Sequence, residues 1–355
     1  MFAAAAIWLL VIVFLAAAAA VWVAGIHLSN AVDVLSTALG LGEALGGLIF
    51  LAFVTNLPEV AIVGAAALQD NIGIALGNIL GGIAIQTTVL VILDVFGCRS
   101  KVALTYQSAS LDLVLEGTLV IALLTVVVMG SQLPEHLIAA RLTPAAGLIA
   151  VLWIVGIWLI GRARAGLPWH QSGDAPGGQM EPRGHSATKK HAQEMRQRGT
   201  TARAWVIFVI GAIVTLIGGV LLEMSGEEIA HHIGLDGVLF GATFLAAATA
   251  LPEISTGLAS IKMGDYKLAV SDIFGGNAFL PVLILLATVL SGVSVLPAAH
   301  DTDIYLTGLG MLLTVVYICG LIFRPRRQVA NMGIDSLTVC ILYALGVGGL
   351  ILIAR

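Results

Sequence analysis

Apolar residues run through this chain in long blocks, and most polar residues fall between the blocks. About 20 apolar residues cross a bilayer core as a helix. The blocks lie near 3–25, 42–68, 72–96, 107–130, 143–161, 204–222, 237–261, 267–291, 303–323 and 333–354. This pattern predicts an all-α, polytopic membrane protein of about ten transmembrane helices. One stretch breaks it: 162–203 is rich in Gly, Pro, His, Gln, Lys and Arg and almost lacks aliphatic residues. It reads as a hydrophilic linker between two five-helix halves, 1–161 and 204–355.

Composition agrees. Of the 355 residues 59% are hydrophobic and 11% charged, against about 25% charged in a soluble domain, so the lipid bilayer is the expected solvent. The net charge of −4 leaves no basic footprint for nucleic acid. The first block has no basic leader and is too long for a signal peptide, so it reads as a retained spanning helix. Cys98, Cys319 and Cys340 are scattered and have no metal-binding spacing; they read as small hydrophobes. The placement of charge says more than its sum. Threading ten helices puts the linker on one side with Arg99, Lys101, Lys262, Lys267, Arg324, Arg326 and Arg327. Of 17 basic residues, only Arg141 and Arg355 fall on the other. The positive-inside rule then predicts a cytoplasmic linker, both termini outside, and a bacterial-type inner membrane.

The two halves repeat. A shift of 194 residues lays Gly40-Leu41 on Gly234-Leu235, Gly47 on Gly241, and Phe50-Leu51-Ala52 on Phe244-Leu245-Ala246. It lays Thr55-Asn56-Leu57-Pro58-Glu59 on Thr249-Ala250-Leu251-Pro252-Glu253, and Gly77-Asn78-Ile79-Leu80-Gly81-Gly82 on Ser271-Asp272-Ile273-Phe274-Gly275-Gly276. In both copies Glu precedes the Gly-Gly pair by 22 positions. The copies begin five helices apart, an odd offset, so the second crosses the membrane in the opposite sense. Inverted repeats of this kind mark secondary transporters, whose sites lie near the midplane on interrupted helices.

Candidate chemistry gathers at the same positions. A carboxylate in mid-span costs about 2.5–3.5 kcal/mol on insertion scales, and Glu59 and Glu253 stand at equivalent places, each directly after a proline. A proline kinks a helix and frees the carbonyl one turn back. Thr55 and Glu59 share a helix face, as do Thr249 and Glu253. Carboxylates, hydroxyls and loose carbonyls make an oxygen cage suited to a hard cation, and either carboxylate can instead take a proton. The glycine pairs permit close helix approach or unwinding. Asn78 and Gln86 accompany the first pair, Asp272 and Asn277 the second; Asp272 reads as either a ligand or a gate. Asn56, beside Thr55, joins the candidate metal-site set. Lesser candidates are a Zn²⁺ site at Glu227, His231 and His232, cation guidance by Asp112 and Glu116, and boundary roles for Glu43 and Asp94.

These motifs resemble those of the cation/calcium antiporter superfamily, whose two inverted repeats carry Gly-Thr-Ser-Leu-Pro-Glu-like and Gly-Asn-x-x-Gly-Ser-Asn motifs. Thr55–Glu59 and Thr249–Glu253 match the first motif. Gly77-Asn78-Ile79-Leu80-Gly81 matches the start of the second, and Gly275-Gly276-Asn277 keeps part of its partner. The resemblance implies exchange of Ca²⁺ against Na⁺ or H⁺ by alternating access, with Glu59 and Glu253 as central ligands and no cofactor beyond the transported ions. It also has departures. The family's serines are replaced by Asn56, Ala250, Gly82 and Gly276, and its late polar position by Gln86 and Leu280. Fewer hydroxyls favour H⁺ over several Na⁺ as the counter-ion. Two other classes stay open: an intramembrane enzyme such as a lipid-phosphate hydrolase, although no GxSxG or HExxH is present, and a transport-inactive sensor.

Overall fold

The computed structural model describes residues 6–39, 53–98, 102–165, 200–235, 237–262, 264–329 and 331–353. Glu43, Gly47, Arg99, Lys101, most of the expected linker and the first part of the span at 42–68 lie outside the described residues. Helices account for nearly all the rest. α1 is Ile7–Leu39, α2 Leu57–Leu68 and α3 Ile72–Ile92, the last continued by a π turn at Leu93–Gly97. A short α4, Leu104–Ser108, leads to α5, Leu111–Ser131, and α6, Pro144–Ala165. The second half opens with α7, Thr200–Ile233, and α8, Gly237–Phe240. A π turn, Gly241–Leu245, then leads to α9, Ala246–Thr249, and α10, Leu251–Lys262. α11, Tyr266–Phe279, runs through a 3-10 turn into α12, Leu283–Ser291. α13, Asp301–Phe323, and α14, Ile334–Ile353, close the chain, joined by a two-residue hairpin of β1, Gln328–Val329, and β2, Met332–Gly333.

Eight described helices are long and apolar enough to span a membrane, and α9 with α10 makes a ninth, bent by 45°. α2 is the described end of the expected 42–68 span, which agrees with ten spans. The inverted repeat is built into the helix bounds. The spans 72–97 and 266–291 match end for end at the 194 offset, as do the left-handed turn residues Asp70 (φ 61°) and Gly264 (φ 85°).

α3 and α11 form the buried centre, packed by Leu76, Ile79, Leu80, Ile83, Ile273 and Phe274. α1, α6, α7 and α14 lie outside and turn apolar side chains outward, including Trp8, Trp158, Ile210 and Leu345. In water such a surface would aggregate; facing lipid it is satisfied.

Three expectations are corrected. The spans at 3–25 and 204–222 are parts of longer helices, of 33 and 34 residues. At about 1.5 Å per residue each is near 50 Å, well beyond a hydrocarbon core of about 30 Å. A hydropathy pattern reports where lipid ends, and both helices continue past that point, α7 against the turn between α2 and α3. There Gln69 Nε2 donates to Glu223 Oε2 at 2.9 Å and Asn71 Nδ2 to Glu227 Oε1 at 2.7 Å. Residues 162–165 and 200–203, read as linker, are likewise helical. Asp94 is no boundary residue: it is buried, its carboxyl group accepting the Leu104 and Gly333 N–H groups and the Ser336 hydroxyl.

The glycines of the repeat set the closest approach. A Cβ at Gly81 would fall inside contact distance of Ala242 Cα, and one at Gly241 would lie 3.1 Å from both Asn78 N and Ile74 O. The π turn of the second half therefore lies backbone to backbone on α3. Gly81→Ala is expected to cost about 1–3 kcal/mol as overpacking against backbone that cannot yield. Thermal unfolding in detergent checks this, with Gly147→Ala, where a Cβ meets nothing within 4 Å, unchanged.

Candidate functional site: paired helix starts at the repeat interface

The two Leu-Pro-Glu segments begin helices. α2 follows a turn at Asn56 (φ −88°, ψ 14°) and α10 follows Ala250 (φ −79°, ψ −2°). The expected proline kink is present in the second copy as a one-residue break that bends the span by 45°. Proline lies in the first turn, where its missing N–H has no intrahelical acceptor to lose. The chain therefore stops, turns one residue and starts again. Glu59 and Glu253 fall in the first turns of the new helices, at the positive ends of the peptide dipoles, and each carboxyl group curls toward its own backbone N–H.

The repeats also seat each other. Gly25 of α1 receives Pro252, whose Cβ would stand 2.8 Å from an added Cβ. Gly219 of α7 receives Pro58, whose carbonyl oxygen would stand at 2.8 Å. These glycines are themselves 194 residues apart, so the long helix of each half packs on the Pro-Glu turn of the other. Their part was not read from the sequence; the repeat shift extended upstream to 25 and 219 would have found them.

Both glutamates are buried, Glu59 fully. Gln86 Nε2 donates to Glu59 Oε1 at 3.3 Å, and the Thr249 hydroxyl from the other half lies in hydrogen-bonding reach of the same carboxylate. Glu253 is close enough to Glu59 and Asp272 to feel both charges. No neighbouring side chain hydrogen-bonds either of its oxygens. Asp272 Oδ2 accepts from Thr256 Oγ1 at 2.9 Å, a residue one turn along α10 from Glu253 that was not singled out. Gly276 lies against the amides of Asn56 and Gln86, 3.1 Å and 3.2 Å from where its Cβ would be. Asn277 Nδ2 donates to Thr87 Oγ1 at 3.0 Å, and its Oδ1 has no partner. Asn78 is fully buried where α3 meets Gly241, with neither amide atom hydrogen-bonded. Thr55 is buried in the last residues before the break.

The structure thus brings Glu59, Gln86, Asn56, Thr249, Glu253 and Asp272 to one interface between the halves. Among the described residues no three His, Cys, Asp or Glu side chains converge to hold a metal ion. A cation held here would share one or two carboxylates with amide and hydroxyl oxygens. The Zn²⁺ candidate does not form: His231 and His232 are exposed, and His232 Nδ1 lies 2.7 Å from the Glu228 carbonyl of its own helix. Asp112 pairs with Lys267 at 2.6 Å, and one turn deeper Glu116 accepts from Ser271 Oγ at 2.7 Å. These two rungs join α5 to α11.

The chain is 26% identical over 305 residues to Inner membrane protein YrbG of Escherichia coli (strain K12), covering 84% of each. Its fold is similar to that of the H⁺/Ca²⁺ exchanger CAX, with a TM-score of 0.64 at 14% identity over 97% of this chain and 87% of that one. It is similar also to the sodium-calcium exchanger NCX_Mj, with a TM-score of 0.60 at 14% identity over 97% and 99%. The family described as Sodium/calcium exchanger protein matches residues 9–161 and 203–352. With both repeats and nearly every span inside that match, the chain belongs to the sodium/calcium exchanger protein family of cation/calcium antiporters.

Proposed function

We propose that this antiporter exchanges Ca²⁺ against H⁺ across a bacterial-type inner membrane, with Glu59 and Glu253 as the shared ligands. The observation that carries the reading is the pair of buried carboxylates on opposed helix starts, one from each half. Two ionised carboxylates balance one divalent cation, and two protonated carboxyls are neutral without it. In either loaded state the site carries no net charge, which keeps the cost of burial low while the halves rearrange. Asn56, Thr55, Thr249 and Asn277 supply neutral oxygens, Gln86 holds the Glu59 carboxylate, and Asn78 and Asp272 stand at equivalent places beside them.

The choice of proton over sodium rests on space. Gly276 has no side chain because the Asn56 and Gln86 amides fill the room beside it, and Gln86 directs an N–H, not an oxygen, at Glu59. An N–H beside a carboxylate stabilises its ionised form and repels a cation on that side. The site so built offers few oxygens for additional Na⁺ ions. The name of one structural relative pairs Ca²⁺ with H⁺ and that of another pairs it with sodium, so both gradients are tested.

Three measurements follow. In everted vesicles, Glu59→Gln or Glu253→Gln is expected to abolish uptake of radiolabelled Ca²⁺ driven by a pH gradient; full transport by both variants overturns the site. In proteoliposomes an imposed H⁺ gradient should drive Ca²⁺ uptake and a Na⁺ gradient should not, and Gln86→Asp should raise the response to Na⁺. The opposite preference in the parent protein reverses the choice of counter-ion. For orientation, Met180→Cys in a chain with its native cysteines replaced should react with a membrane-impermeant maleimide only in everted vesicles.

A further inference from the structure

One fully buried carboxyl group takes no part in the site described above. Glu223 lies on α7, which starts at Thr200 beside the linker. At about 1.5 Å per residue it stands about 35 Å along the helix, past a hydrocarbon core of about 30 Å and so near the face opposite the linker. It is nonetheless 0% exposed. Gln69 Nε2 donates to its Oε2 at 2.9 Å, and the Asn71 side chain lies within hydrogen-bonding reach of it while donating to Glu227 Oε1 at 2.7 Å. Both partners are neutral amides. Among the described residues no basic side chain forms an ion pair with Glu223 or Glu227. Gln69 and its neighbour Asp70 are exposed, so the cluster adjoins the solution at that face.

Glu223 belongs to a ridge that leads back to Glu59. Residues four apart form one row on a helix surface, inclined about 26° to its axis, and on α7 such a row holds Thr215, Gly219, Glu223 and Glu227. Its members meet the first half in order. Gly219 receives Ala61 and Pro58, the residue before Glu59. Glu223 meets Gln69, and Glu227 meets Asn71. Thr215 lies between Gly219 and Ala212, which packs on the cluster of Leu28, Val54 and Leu57, and this sets it level with the break at Asn56. It is 1% exposed, and its hydroxyl makes no hydrogen bond. The row thus follows α2 from the turn that bears Glu59 to its far end, with a side-chain oxygen at every turn but the glycine.

The fold does not demand these oxygens. The positions 194 residues upstream, on α1, are Val21, Gly25, Ser29 and Asp33. Only the glycine, which seats a proline, and the acid at the end of the row recur. A buried carboxylate held by neutral amides alone is neutralised by a proton or by a cation. A half-turn of either amide presents a carbonyl oxygen in place of its N–H, and carboxylate and amide oxygens are the ligands of a hard cation.

We propose that this ridge of α7 is the approach by which the cation reaches the exchange site from the face opposite the linker, with Glu223 as the carboxylate that holds it on the way. The proposal rests on the Ca²⁺ exchange proposed above.

The test measures KM for Ca²⁺ with the full chain in vesicles of both orientations, so that the ion is offered either at the linker face or at the opposite one. Glu223→Gln keeps an oxygen that can accept from Gln69 and removes the charge. It is expected to raise KM at the opposite face about tenfold, the lower end of what a charged approach adds to the local cation concentration, and to leave KM at the linker face unchanged. The rise should shrink as ionic strength increases. Thr215→Val should raise the same KM by a smaller factor, and it decides alone if thermal unfolding in detergent shows that Glu223→Gln does not fold. Equal changes at both faces, the mark of a packing role, overturn the proposal, as does a change confined to the linker face. So does no change at either face, the behaviour of a carboxyl group that stays protonated, for which glutamine is a close substitute. Glu59→Gln blocks exchange from both faces, so each of these failures leaves the exchange site standing; a parent chain that moves no Ca²⁺ overturns both readings.

Discussion

The cost of placing ionisable groups inside a bilayer governs this structure. Glu59 and Glu253 are buried in the interior of an apolar bundle, and what surrounds them is what makes that tolerable. A helix start supplies uncapped N–H groups and the positive end of the peptide dipoles. Forming one in mid-membrane requires a break, and a break exposes backbone that lipid cannot satisfy. The chain meets both demands by breaking twice and burying each break against the other half.

That reciprocity explains the position of the small residues. Pro58 rests on Gly219 and Pro252 on Gly25, so neither turn is complete until the opposite long helix is in place. α1 and α7 pack on one another as well as on these turns, which couples the outer pair of helices to the two carboxylates. The contact between each long helix and the opposite Pro-Glu turn is therefore steric and direct.

Much of this was legible in the sequence, because the signals were long-range and redundant. The 194-residue shift reappears in the spans 72–97 and 266–291 and in the two Leu-Pro-Glu helix starts. What hydropathy did not reveal were features set by protein contacts. α7 runs to Ile233, its Glu223 and Glu227 held by Gln69 and Asn71 of the turn between α2 and α3, and a polar helical turn looks like a span end. A proline two residues into a helix and a proline within one give the same pattern, so the sequence showed the kink but not the one-residue breaks at Asn56 and Ala250. Asp94 looked like an interfacial residue since its three donors come from residues 10 to 242 positions away.

The repeat is symmetric in backbone and asymmetric in charge, and the asymmetry is organised. Around the second glycine pair, Lys267 holds Asp112, Ser271 holds Glu116 and Thr256 holds Asp272. The positions 194 residues upstream of Lys267, Ser271 and Thr256 are Gly73, Gly77 and Ile62, none of which can hold a carboxylate. The acids around the second copy are thus each held by a partner side chain. The first copy has glycine and aliphatic side chains at the equivalent positions. An antiporter built from inverted copies needs only its central ligands to be equivalent, because both access states present the same two carboxylates. The residues around them are free to diverge, and in this chain they have.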